Sequence, residues 1–196
     1  MPILEKESFI FINIPVATNG ELQELFDLSN IEKENKWYVY KNEHPLKWKK
    51  YISFSVVRNP FDRVVRNFQD ARRNDSYWDS AISPTESRYE EKTLKDKSFR
   101  ETVDLLDELE HGGWEEQHNF ITNGSDVVVV DKVIKYENLE KELNTLFSNS
   151  FKNSKLSKLK KKKSRERSYR VFYDEETKEK VKEKYKKDFE LFNYSF

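Results

Sequence analysis

The 196-residue chain sets 36 lysines and arginines against 36 aspartates and glutamates, at a length that suits one domain with a sizeable core and is short for two. With a formal charge of zero, no global field draws the protein to nucleic acid or to a membrane surface, so anion binding must be local. The absence of cysteine excludes disulfides, thiolate zinc sites and cysteine nucleophiles and fits a reducing compartment, and an aromatic content of 14% argues against disorder of the whole chain.

Met1 to Ser8 carry Glu5, Lys6 and Glu7 in place of a basic start and a long apolar run, which predicts no signal peptide or membrane anchor and a soluble, cytoplasmic protein. Phe9 to Ile14 is an apolar run broken only by Asn13 and stopped by Pro15, the pattern of a buried strand that ends abruptly. A loop through Asn19 and Gly20 leads into Glu21-Leu22-Gln23-Glu24-Leu25-Phe26, whose apolar spacing suits a helix. The pattern recurs: Tyr51 to Val57 predicts a second buried strand closed by Arg58-Asn59, and Pro60 stands where a first helical turn tolerates proline, with helix expected to about Arg73. Residues 74–97 are polar and without clear periodicity, which predicts a mobile surface excursion near a substrate. Phe99 to Leu109 reads as helix, Val127 to Val130 and Lys132 to Lys135 as short strands, and Leu139 to Phe147 as helix. Ser148 to Ser168 is rich in lysine and serine, and Asp174 to Leu191 predicts a last charged amphipathic helix. Strands alternating with helices point to an α/β fold, a single domain with one parallel sheet covered on both faces.

In such folds ligands bind beyond the carboxyl ends of the strands, where helix N-termini present unpaired amides that favour phosphate or sulfate. The segments 15–20 and 58–60 both have that form. Taken alone, the first is better read as a plain turn, because the Gly-Lys-Ser/Thr of a Walker loop is missing. The second is more telling. Val56-Val57-Arg58-Asn59-Pro60-Phe61-Asp62-Arg63 is similar to the R-N-P-x-x-R segment of carbohydrate sulfotransferases that use 3′-phosphoadenosine-5′-phosphosulfate (PAPS), the family of heparan- and chondroitin-type enzymes and bacterial relatives. Phe9-Ile10-Phe11-Ile12-Asn13-Ile14-Pro15 falls where that family has its F-I-H-I-P-K-T-G-G-T-S loop. Gln117 resembles a family glutamine, and Tyr136-Glu137-Asn138-Leu139 resembles the F/Y-E-N-L element. Lys163-Ser164 with Arg167 and Tyr169-Arg170 resembles K-S-x-x-R-x-Y-R. Tyr173 to Thr177 and Asp188 to Phe192 resemble the Y-D-E-E-T and D-x-x-L-F ending. The resemblance spans about residues 9 to 196.

It implies a P-loop-like sulfotransferase fold that holds PAPS, or its desulfated product PAP, without a metal. Arg58, at the end of a strand, can offer a planar fork of donors to the nucleotide's 3′-phosphate, supported by Arg63 and by amides after Pro60. The alternative is that Arg58 and Arg63 pair with carboxylates such as Asp62 or Asp70. Val16, Ala17, Thr18, Asn19 and Gly20 fall on the loop expected at the 5′-phosphosulfate. Arg66 stands where the family has a phosphate-binding serine and can replace that contact or block it. Ser164 and Arg167 fall in the basic stretch, which can close over the nucleotide, attract an anionic acceptor or remain solvated.

Three further positions depart from the family. Val16 replaces the loop lysine that stabilises charge on the moving sulfate, Asn13 replaces a histidine, and Gly113 replaces the histidine four residues before the glutamine. Asn13, His111, Glu115 and Glu116 are the residues near those positions that remain as catalytic candidates. His44, His111 and His118 are the chain's three histidines, and each is expected to be structural or exposed, since the sequence around it marks nothing that would fix a tautomer. The resemblance implies sulfate transfer to a hydroxyl of a saccharide or related small acceptor. The alternative is a catalytically impaired relative that binds nucleotide or a protein partner. A nucleic-acid binder using Lys160 to Arg167 is disfavoured by the neutral chain and the lack of interleaved aromatics.

Overall fold

Alternation of side chains along short apolar segments builds the sheet. In the computed structural model, which describes residues 3–18, 21–26, 36–72, 93–147 and 168–196, β1 (Ile3–Leu4), β2 (Phe9–Ile12), β3 (Ile52–Val57) and β4 (Lys132–Lys135) lie in that order across one sheet. β1 pairs antiparallel with β2, while β2 with β3 and β3 with β4 are parallel, Phe11 standing opposite Phe54 and Val56 opposite Ile134. The fold is thus α/β with a mostly parallel sheet, antiparallel only at the short edge strand β1. The helices include α1 (Glu21–Phe26), α2 (Trp37–Glu43), α3 (Pro45–Lys50), α4 (Pro60–Asp70), α5 (Phe99–Asp104), α6 (Leu139–Leu146), α7 (Glu175–Lys184) and α8 (Lys186–Phe192). None among the described residues is long and apolar enough to cross a membrane.

Contacts divide the chain into two compact units, Met1–Arg58 with Gln117–Arg165 and Asn59–Glu116 with Glu166–Phe196. The first holds the sheet. Phe9, Phe11, Phe54, Val56 and Ile134 share one face by the two-residue period of a strand and pack with Leu22 and Leu25 of α1, Leu139 and Leu143 of α6, and Phe147. Aromatic rings interlock within it: Phe147 meets Phe9 edge-on at 4.6 Å and Phe54 at 5.7 Å between centroids. Each such ring fully buried contributes about 2–3 kcal/mol. The sheet's other face carries Ser53 and Ser55, both buried and both paired, as buried hydroxyls must be. Ser55 Oγ donates to the Ile12 carbonyl (2.7 Å), and Ser53 donates through N–H and Oγ to Asp131 (2.8 and 2.7 Å).

The second unit is built on α4. Pro60 occupies its first turn and the Asn59 side chain caps it, accepting the Phe61 N–H at 3.0 Å. Phe61, Val64, Val65 and Phe68 recur at helical spacing and bury against Phe99 and Val103 of α5, Leu106, Trp114, and Val181 and Tyr185. Capping boxes start α5 at Ser98–Glu101 and α7 at Asp174–Thr177, each such cap adding about 1 kcal/mol.

Several boundaries differ from the sequence expectation. β2 stops at Ile12, α4 at Asp70 and α5 at Asp104. Val127 to Val130 forms no strand: Asp126 takes a left-handed φ of 57°, the Asn123 side chain accepts from the Ser125 and Val127 amides, and Val128 makes only an isolated bridge to Thr122. The single C-terminal helix is two, because Tyr185 leaves helical geometry, and its buried hydroxyl donates to the Trp114 carbonyl at 2.8 Å. The excursion expected over residues 74–97 lies outside the described residues up to position 92; beyond it Leu94 is buried in the core of the second unit.

Candidate functional site

Three parallel strands end side by side, and the register places their following residues together. Val57 stands opposite Lys135, so Arg58 and Tyr136 are the next pair along. The Arg58 guanidinium lies over the Tyr136 ring, its central carbon 3.8 Å from the centroid. Its Nη1 donates to the Val16 carbonyl at 3.4 Å. Val16, Arg58 and Tyr136 thus come from beyond the carboxyl ends of β2, β3 and β4, the place where open parallel sheets bind ligands.

Gln117 fixes the backbone at this point. It is fully buried in a 3-10 turn, Gln117–Phe120. Its Oε1 accepts the Arg58 N–H at 2.9 Å and its Nε2 donates to the Arg58 carbonyl at 2.8 Å. An amide side chain therefore replaces the strand ladder one residue past the sheet, satisfying both main-chain groups of a residue that is 3% exposed.

The loop after β2 is tight and strained. Val16 has φ 60°, a left-handed conformation that a β-branched residue adopts at a cost of about 1–2 kcal/mol. The Ala17 N–H closes the turn on the Ile14 carbonyl at 3.3 Å. Asn13, Val16 and Ala17 are buried and Thr18 is half-buried, so the aliphatic side chain at position 16 faces inward while its carbonyl reaches Arg58. Asn19, Gly20, Ser164, Arg167 and the lysines from Lys160 to Lys163 lie outside the described residues.

Arg66, His111, Glu115 and Glu116 belong to the second unit. Arg66 Nε pairs with Asp70 one turn along α4, at 2.8 Å and largely buried. Arg63, 1% exposed, donates to the carbonyls of Glu115 (2.7 Å) and Gly112 (3.2 Å) and so ties α4 to the following loop. Asn67 Nδ2 donates to the Gly113 carbonyl at 2.5 Å. A Cβ at 113 would stand 2.7 Å from Asn67 Oδ1 and 2.9 Å from His111 Nδ1, so a larger residue there would have to displace one of these side chains.

His111 Nδ1 accepts the Gly113 N–H at 3.0 Å, so the neutral ring holds its proton on Nε2. Burial first, and the Arg63 charge second, lower its pKa from 6.5 to about 4. Between those values the unfolded chain binds a proton that the folded one does not. Stability is therefore complete above pH 6.5 and falls as the pH drops toward 4, by about 3 kcal/mol over the whole window. His111→Gln is expected to remove that part of the acid sensitivity, read from denaturant midpoints at pH 7 and pH 4.5; an unchanged difference between the two would show that His111 carries none of it.

Sequence reading placed Gln117 and Tyr136 in motifs without assigning either a contact, and the structure gives both to Arg58. Among the described residues no group of three or more histidine or carboxylate side chains is placed to hold a metal ion. Compared with known proteins, residues 14–195 match the model of a family described as the sulfotransferase family. No curated protein and no solved structure matches the chain.

Proposed function

The chain belongs to the sulfotransferase family, and from that premise we propose that it moves sulfate from PAPS to a hydroxyl of a saccharide or related small acceptor. The observation that carries the reading is Arg58: a buried guanidinium, fixed in plane at the carboxyl ends of three parallel strands. Its donor set suits a phosphate, which accepts two parallel N–H bonds from such a fork. When bound, PAPS supplies a sulfuryl group on a phosphate leaving group. In this reading Arg58 holds the 3′-phosphate, and the turn of residues 16–18 lies toward the 5′ end. Of the candidates named from the sequence, Glu115 and Glu116 carry carboxyl groups, a side-chain type that serves as a general base toward a hydroxyl. Asn13 is an amide, and the Nδ1 of His111 is already engaged.

A second reading, a relative that binds nucleotide without turnover, is favoured by Val16. Where the family's loop has a lysine, this loop has a buried aliphatic residue in a strained conformation. Incubation with sulfur-labelled PAPS and a panel of saccharides separates the two. Label transferred by the wild type and not by Arg58→Ala supports the enzyme; nucleotide binding with no transfer to any acceptor would reject it for the second reading.

A further inference from the structure

We infer that Tyr136 is a positioning residue that gives this site its preference for a 3′-phosphorylated nucleotide, acting through Arg58; the inference rests on the nucleotide reading above. A guanidinium offers all its donors in one plane. Contact with the Tyr136 ring at 3.8 Å sets that plane, leaving the side chain to turn only within it. The Val16 carbonyl takes a hydrogen from Nη1 and limits that remaining turn. Gln117 holds the main chain from which the side chain starts. The three restraints are distinct: Tyr136 sets the plane in which the fork lies, the Val16 carbonyl sets its direction within that plane, and Gln117 sets its origin.

The chemistry explains why selectivity, and not general affinity, should depend on this ring. A phosphate bonded to the fork needs two donors presented side by side, and a guanidinium free to rotate must lose that freedom on binding. A nucleotide without a 3′-phosphate does not call on the fork. Loss of the ring therefore weakens one ligand and leaves the other alone. The lever exists because β4 lies beside β3 in parallel register: an aromatic residue one position beyond β4 reaches the arginine one position beyond β3.

The test is calorimetric titration of the full chain with PAP and with adenosine 5′-phosphate. Tyr136→Leu is expected to weaken PAP binding about ten-fold, within the range of a desolvated cation–ring contact, with adenosine 5′-phosphate unchanged. Tyr136→Phe, which keeps the ring, should bind PAP as the wild type does, and adding Tyr136→Leu to Arg58→Ala should have no further effect. Tyr136→Met serves in the same way if the leucine variant does not fold. An equal loss for both nucleotides, no loss for PAP, or a loss that persists without Arg58 would overturn the inference while leaving the nucleotide reading standing. A wild type that binds no PAP would overturn both.

Discussion

Val16→Lys is expected to raise the rate of sulfate transfer by about 10²–10³-fold, the usual effect of one preorganised donor at a developing charge. The position follows Pro15 in the turn after β2, where the backbone already has a left-handed φ of 60°. Lysine is unbranched at Cβ and tolerates that conformation better than valine, so the change should relieve strain while adding the cation the loop lacks. The valine is 8% exposed; the long lysine stem can follow the same path and carry its ammonium to the surface. Initial rates with labelled PAPS decide the matter. A gain from a slow wild type marks an enzyme whose cradle has lost one group, and activity appearing in an inert protein favours the non-catalytic relative. A folded variant with no gain contradicts the assignment of this loop to the sulfate.

Arg58→Ala is expected to weaken PAP binding about 100-fold, since it removes two charge-assisted hydrogen bonds from a buried position, each worth about 1.5–3 kcal/mol with part recovered by water. The variant is informative because it should still fold. Gln117 bonds both main-chain groups of residue 58, so this clamp survives truncation of the side chain. Arg58→Lys keeps the charge but not the fork and should recover only part of the affinity. Calorimetry on the three proteins reads this directly; PAP affinity unchanged in Arg58→Ala would remove Arg58 from the site.

Much of this architecture was legible in the residues. The apolar runs before Pro15 and Asn59 became β2 and β3, Pro60 opened α4, and Lys132 to Lys135 became β4. What escaped depends on long-range placement. β1 is two residues held by backbone pairing to Phe9 and Ile10, too short to have a pattern. The α2–α3 pair is marked by Trp37, Tyr40, His44 and Trp48 at three- and four-residue spacing, interrupted by Pro45, and the lysines between them mask the stripe. Nothing local to Val16 foretells a positive φ, since β-branched residues disfavour it. The Arg58–Tyr136 contact cannot be read from either motif alone, because it is created by the register of β3 on β4.

The same holds for the second set of candidates. Arg66 has a carboxylate four residues along its own helix, a pairing the helical period makes visible in advance. Arg63 instead ends on two main-chain carbonyls of the 112–115 segment. That partnership depends on the fold of a loop in which Gly113 packs closely against Asn67 and His111.

The most direct measurement is calorimetric titration of the unmodified protein with PAP. Saturable binding of one nucleotide per chain, tighter than that of adenosine 5′-phosphate, is the result expected of an Arg58 site built for a 3′-phosphate. Absence of binding, or equal affinity for the two nucleotides, would contradict it.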